Sequence, residues 1–191
     1  MNDLKHKSFA ANEIYKTAAK VGTNLILVQN NQNIYDEKGL KLINMAGISS
    51  DDDNENSIIT LLKYKDFSML FTGDASVKGI KSVLSFLPQN ITVLKVPHPG
   101  AIGGLDNDVV KYLNPKYSIV SVGDNFFGHP SNYIINLLKN SKVLRTDINN
   151  AILLKINTKI KLYEYDLHQR RFVEFSKTLK KKPLAKKEAK N

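Results

Sequence analysis

Phe67-Ser68-Met69-Leu70-Phe71-Thr72-Gly73-Asp74 and, after a helix-like run, Ile91-Thr92-Val93-Leu94-Lys95-Val96-Pro97-His98-Pro99-Gly100 decide how this chain reads. Each is an apolar strand that delivers a side chain with ligand chemistry at its C-terminal end, Asp74 from the first and His98 from the second. Open α/β sheets place their chemistry at those ends. Between the two, Val77, Ile80, Val83, Leu84 and Leu87 recur at three- and four-residue intervals, so a helix is expected over 75–87, stopped by Pro88.

Working outward, 58–64 and 67–71 read as strands joined by a tight Lys65-Asp66 turn. Further upstream a helix is expected over 9–21, with Ile14, Ala18 and Val21 on its apolar face and Gly22 closing it. A short strand over 24–28, turns at 29–33 and 36–39, and a strand over 40–45 follow. Asp51, Asp52, Asp53 and Glu55 form an acidic loop whose spacing lacks the internal Gly and final Glu of an EF-hand, so it reads as a solvated loop. Downstream come a helix over 106–113, a strand over 117–122, a loop over 123–129 and a helix opened by Pro130 and running to 138. A strand at Val143-Leu144 and a hairpin of 151–156 with 160–165 beside the central sheet complete the pattern. Strand, loop and helix in alternation predict an α/β fold. The domain organisation expected is a leader and helix over 1–22, a domain over 23–175 and a disordered basic tail over 176–191.

Composition narrows the function classes. The chain has 191 residues, enough for one domain with a core, and no Cys, which excludes disulfides, thiolate metal ligation and cysteine nucleophiles. No apolar run is long enough to span a membrane, and residues 1–7 lack the apolar core that a signal peptide needs. A soluble, cytoplasmic chain is the expectation. The formal charge is +10, and it is uneven: from Arg170 to Asn191 there are nine Lys or Arg against Glu174 and Glu188, a net +7. Lys180, Lys181, Lys182, Lys186 and Lys187 are therefore candidates for nucleic-acid contact, and equally a solvated end.

Asp74 is preceded by Gly73, which permits a tight turn, and by Thr72, whose hydroxyl can hold the loop. A carboxylate there can bind or bridge divalent cations; standing just before a predicted helix, it can also be an N-cap. His98, between two prolines, carries an imidazole suited to zinc, manganese or iron, or serves a structural role. His129, in Gly128-His129-Pro130, stands before a helix where it could receive a phosphate, cap or pack.

Taken together, Asn54 to Ser57 followed by a strand, Thr72-Gly73-Asp74, Leu94-Lys95-Val96-Pro97-His98-Pro99-Gly100, Ser118 to Gly123, Gly128-His129-Pro130 and Arg145-Thr146-Asp147 resemble the C-terminal half of a metallo-β-lactamase-like hydrolase domain. The resemblance is nearest to the soluble domain of the ComEC family of DNA-uptake competence proteins, and it runs over roughly 40–156. It implies a partial αββα sandwich lacking the N-terminal ligand-bearing part, with Asp74 as the metal-bridging aspartate, His98 as a late histidine ligand and His129 near the substrate. All three are then catalytic candidates, and Asp74 and His98 the metal candidates.

The departures from that pattern bear on activity. The HxHxDH-type loop that supplies most ligands in the family is missing: the four histidines are His6, His98, His129 and His168, and none forms it. Where relatives read His-His-Gly, this chain reads His98-Pro99-Gly100. A catalytic zinc takes three protein ligands and an open position, and a two-metal site takes more. Zinc or manganese is the cofactor the resemblance implies, held here by an incomplete set. The expectation is a metallo-hydrolase-like domain of the DNA-uptake type, a fragment or degenerate form inactive alone. DNA, self-association or a complementing polypeptide are its implied partners. A noncatalytic nucleic-acid-binding or structural protein that keeps the fold is the alternative, and a plain α/β domain whose motifs only turn and cap the chain is a third.

Overall fold

The computed structural model describes residues 9–46, 54–157 and 159–175. They fall into two compact units that divide after Ile148. The first is built on a seven-stranded sheet in which every strand neighbours its sequence neighbour, β1-β2-β3-β4-β5-β6-β7. β1 (Gln32–Glu37), β2 (Leu40–Ala46), β3 (Ile58–Tyr64) and β4 (Phe67–Phe71) pair antiparallel through hairpins. β5 (Val93–Lys95), β6 (Tyr117–Val120) and β7 (Lys142–Arg145) then add in parallel to β4. Parallel strands need crossovers, and α2 (Val77–Val83), α3 (Asn107–Leu113) and α4 (Asn132–Leu137) supply them.

One sheet face and these helices make the core. Met45, Ile59, Leu61, Leu70, Leu94 and Val120 come from the strands, Ile80 and Val83 from α2, Val109 and Leu113 from α3, and Ile134 with Leu138 from α4 and its end. All lie buried, each side chain contributing roughly 1.5–3 kcal/mol relative to exposure. The 38–39 turn shows why the first hairpin closes tightly: Lys38 and Gly39 both take positive φ, 52° and 81°, which matches the twist of the flanking strands.

Four expectations are corrected. The helix α1 (Phe9–Val21) forms where expected, but it buries Ala11 and Ala18 and leaves Ile14 52% and Val21 66% exposed, so the covered stripe is displaced from the most apolar one. Residues 23–29 carry no strand, and Leu25, Ile26 and Leu27 are exposed; β-propensity forms a strand only where a partner strand lies alongside. Ser76, not Asp74, caps α2, its Oγ accepting from the Gly79 N–H, because a turn in which Ala75 N–H donates to the Thr72 carbonyl sets the helix start two residues later. Likewise Ser131 caps α4, and Pro130, joined to His129 by a cis peptide, lies outside that helix.

The second unit is a separate three-stranded antiparallel sheet, β10-β9-β8, of β8 (Ile152–Ile156), β9 (Ile160–Asp166) and β10 (Arg171–Glu174). The expected hairpin is present in it, and β10 is an added strand that four residues with one alternation could not announce. No described helix is long and apolar enough to cross a membrane.

Candidate functional site

Register brings the candidate residues to one edge. Phe71 of β4 stands opposite Lys95 of β5, Lys95 opposite Ile119 of β6, and Val120 opposite Arg145 of β7. Because the four strands run parallel and end level, the loops carrying Asp74, His98, His129 and Asp147 lie at the same end of the sheet.

The first loop is fixed by contacts that leave Asp74 outward. Thr72, fully buried, donates its hydroxyl to the Lys95 carbonyl at 2.7 Å and so clasps β4 to β5. Gly73 has φ +56°, and a Cβ there would stand 3.2 Å from Ser57 Cβ and Oγ, so this turn requires glycine. The Asp74 N–H donates to Ser57 Oγ at 3.2 Å, and with Ser76 capping the helix the Asp74 side chain is left exposed at the edge.

The second and third loops are tied to the first and to each other. His98 N–H donates to the Gly73 carbonyl at 3.3 Å. His98, Pro99 and Gly100 take φ of 42°, 20° and 87°, a run of positive values in which only Gly100 is at ease. Gly100 packs closely on Pro130, and its carbonyl accepts the Ser131 N–H at 3.0 Å. The result is that His98 and His129 meet edge to face, with ring centroids 5.7 Å apart and planes at 79°. The structure therefore brings His98 and His129 together directly and links His98 to the Asp74 turn through the backbone. With Ser131 as the cap of a six-residue helix, His129 is not the helix-terminus anion site considered from the sequence.

Lys95 decides the electrostatics. Burial pulls its ammonium below the usual lysine range, and the Asp74 carboxylate acts in the opposite direction, favouring the charged form. Its Nζ donates to the Val96 carbonyl at 3.2 Å. Among the described residues, no three or more His, Cys, Asp or Glu side chains gather where they could hold a metal ion. Asp74 and His98 alone are too few donors for zinc. The described residues do not fit a resident zinc or manganese.

The sequence is similar to ComE operon protein 3 of Bacillus subtilis strain 168. Identity is 31% over 111 residues, spanning 56% of this chain and 14% of that protein, so this chain corresponds to a small part of that relative's length. No family model matches the chain. Parts of the chain superpose on solved structures, one of them described as belonging to the metallo-β-lactamase superfamily. One, from Thermotoga maritima, described as a Zn-dependent hydrolase of that superfamily, has a TM-score of 0.45 and 16% identity, covering 64% of this chain and 72% of that one. Another, a metallo hydrolase from Ignicoccus hospitalis, has a TM-score of 0.48 and 15% identity, with coverages of 71% and 63%.

Other candidates sit elsewhere. Lys180, Lys181, Lys182, Lys186 and Lys187, with His6 and Asp51 to Asp53, lie outside the described residues. His168 is exposed in the β9–β10 turn, its N–H donating to Asp166. The sequence reading missed three residues that build the edge: Ser57, which receives the Asp74 amide; Asn125, which organises the loop before His129; and Thr146, whose hydroxyl joins the β6 and β7 loops. Asn125 had a signal, since an Asn two residues after a Gly in a polar loop is a common turn former. Ser57 and Thr146 had none beyond their place in the motifs.

Proposed function

We propose that this chain is a metallo-hydrolase-like domain of the competence, DNA-uptake type that does not hydrolyse phosphodiesters on its own. The observation that carries the reading is the meeting of the Asp74, His98 and His129 loops at one sheet edge, with too few donors there to complete a metal site among the described residues. The similarity to ComE operon protein 3 supports the lineage. The same reading makes the domain a partial metallo-β-lactamase-like sandwich. Its support is the apolar surface near the N-terminus, where Ile14, Ala18, Val21 and Leu25 line a groove beside exposed Ile26 and Leu27. A second polypeptide or a second copy covers that surface. Metal content is the test: after incubation with zinc or manganese and dialysis, the purified chain is expected to retain less than one ion and to show no metal-dependent turnover of DNA. Two tightly held ions per chain would overturn the reading.

A specific observation also favours the noncatalytic alternative. Lys95, at the end of β5, brings to this edge an ammonium whose charge the Asp74 carboxylate favours, and a lysine suits phosphate. In this reading Lys95, His129 and the tail lysines Lys180, Lys181, Lys182, Lys186 and Lys187 contact a nucleic-acid backbone without cleaving it. Lys95→Ala tests this second reading: weakened DNA binding with no hydrolysis in either protein supports the binder, unchanged binding leaves the first reading alone, and a divalent-dependent hydrolysis that Asp74→Ala abolishes would overturn both.

A further inference from the structure

Phe126 and Phe127 stand side by side in the open, Phe126 fully exposed and Phe127 83% exposed. Single exposed apolar residues are ordinary, but two adjacent phenyl rings on a fixed loop are not. Asn125 fixes the loop: its Oδ1 accepts from the Phe127 N–H at 3.1 Å and the His129 N–H at 3.0 Å. Its Nδ2 donates to the Gly123 and His129 carbonyls, both at 2.9 Å. One side chain thus braces the loop from both sides and holds the rings outward. The Phe127 ring lies nearly parallel to the His129 imidazole, at 19° with centroids 5.9 Å apart, and His129 meets His98 edge to face. A row of flat rings runs from solvent at Phe127 to His98 at the candidate site, and the exposed Phe126 precedes Phe127 in the chain.

The geometry points to this row as a stacking platform for unpaired nucleobases, with the sugar–phosphate strand passing His98, His129 and Lys95. The inference rests on the nucleic-acid reading above and adds to it the form of the nucleic acid and the residues that select it. Aromatic faces stack on any base, so such a platform binds with little sequence preference, whereas a duplex keeps its base faces covered. The two parts of the ligand match two parts of the surface. Phosphates answer the Lys95 ammonium at the end of β5, and bases answer the rings.

The test compares three labelled ligands by fluorescence anisotropy at one salt concentration: an oligothymidylate, an abasic strand of equal length and a duplex. The wild-type chain is expected to bind the oligothymidylate about tenfold more tightly than the abasic strand. Phe126→Ala/Phe127→Ala should lose that preference while its affinity for the abasic strand is unchanged. Phe126→Leu/Phe127→Leu, which keeps apolar bulk without a ring, should behave like the alanine variant. Both side chains are solvent-facing, and far-ultraviolet circular dichroism confirms that the variants fold. Wild-type affinity in the leucine variant overturns the platform, as does equal wild-type affinity for thymidylate and abasic strands. So does a loss on phosphatidylglycerol vesicles alone, which assigns the rings to a lipid surface. Failure of the wild-type chain to bind any strand overturns the nucleic-acid reading itself.

Discussion

Replacing Gly100 by alanine tests whether one close approach holds the His98 and His129 loops together. A Cβ at this position would stand 2.6 Å from Pro130 Cβ and 3.0 Å from Pro130 Cα, with φ at +87°. Pro130 is buried and its ring is part of the backbone, so it cannot swing aside as the end of a long side chain would. Two costs add: about 1–2 kcal/mol for an L-residue in the left-handed region and about 1–3 kcal/mol for overpacking. A loss of roughly 2–5 kcal/mol is expected, a large share of the roughly 5–15 kcal/mol that holds a typical domain. At about 2–4 °C per kcal/mol the thermal midpoint should fall by roughly 4–20 °C. Gly103→Ala is the control, since nothing lies within 4 Å of its Cβ position. The assay is calorimetry, joined to NMR contacts between the two imidazoles, which should weaken in Gly100→Ala and persist in Gly103→Ala. Equal midpoints for the two variants, or an unchanged imidazole pair in Gly100→Ala, would refute the reasoning.

Thr146 Oγ1 accepts the Val122 N–H at 2.7 Å and donates to the Val122 carbonyl at 2.6 Å. Thr146→Val keeps the shape but strands a buried amide, so urea unfolding should show a loss of about 1–3 kcal/mol, with Thr146→Ser recovering most of it. Asp106 is pushed upward by burial, but the Lys81 ammonium at 2.6 Å and the Val109 N–H together hold its carboxyl below the usual range. A depressed carboxylate stabilises the fold above its unfolded value of about 3.9 and loses that contribution as pH falls through the folded value. The stability gap between the wild-type chain and Asp106→Asn should therefore close below about pH 4, and a gap unchanged from neutral to strongly acid pH would remove the ion pair from the account. Removing residues 180–191 should weaken single-strand binding and flatten its log–log salt dependence by about 0.7 for each phosphate that the tail neutralises; an unchanged slope would exclude the tail from the interface.

What the sequence disclosed followed from how local each decision is. The β3–β4 hairpin is legible to the residue because its apolar run, the Lys65-Asp66 turn and Thr72-Gly73 all act within a few positions. The face that α1 buries is not local. Ile14 and Val21 make the more apolar stripe, yet Ala11 and Ala18 are covered, and small residues allow that close approach. The strand expected over 24–28 failed for a related reason, since its apolar residues specify readiness to pair but not a partner. In the site, Asp74, His98 and His129 were readable as chemistry-bearing types at strand ends. That His98 and His129 touch was not, because the contact depends on Gly100 meeting Pro130, far away along the chain.

The motif residues that persist have structural work independent of any metal. Thr72 clasps β4 to β5, Gly73 fits under Ser57, and Gly100 locks the second loop to the third. Each serves the sheet edge whether or not a metal binds, because replacing it disturbs that edge. Motif presence is therefore evidence for fold and weak evidence for activity. The residue with no such structural duty is Asp74, whose exposed carboxylate neither caps α2 nor joins two loops through its side chain. Its electrostatic partner is Lys95, half-buried and opposed by desolvation. Burial works against the Lys95 ammonium and the Asp74 charge works for it, so this edge gains a positive charge where the described residues bring too few donors for a metal.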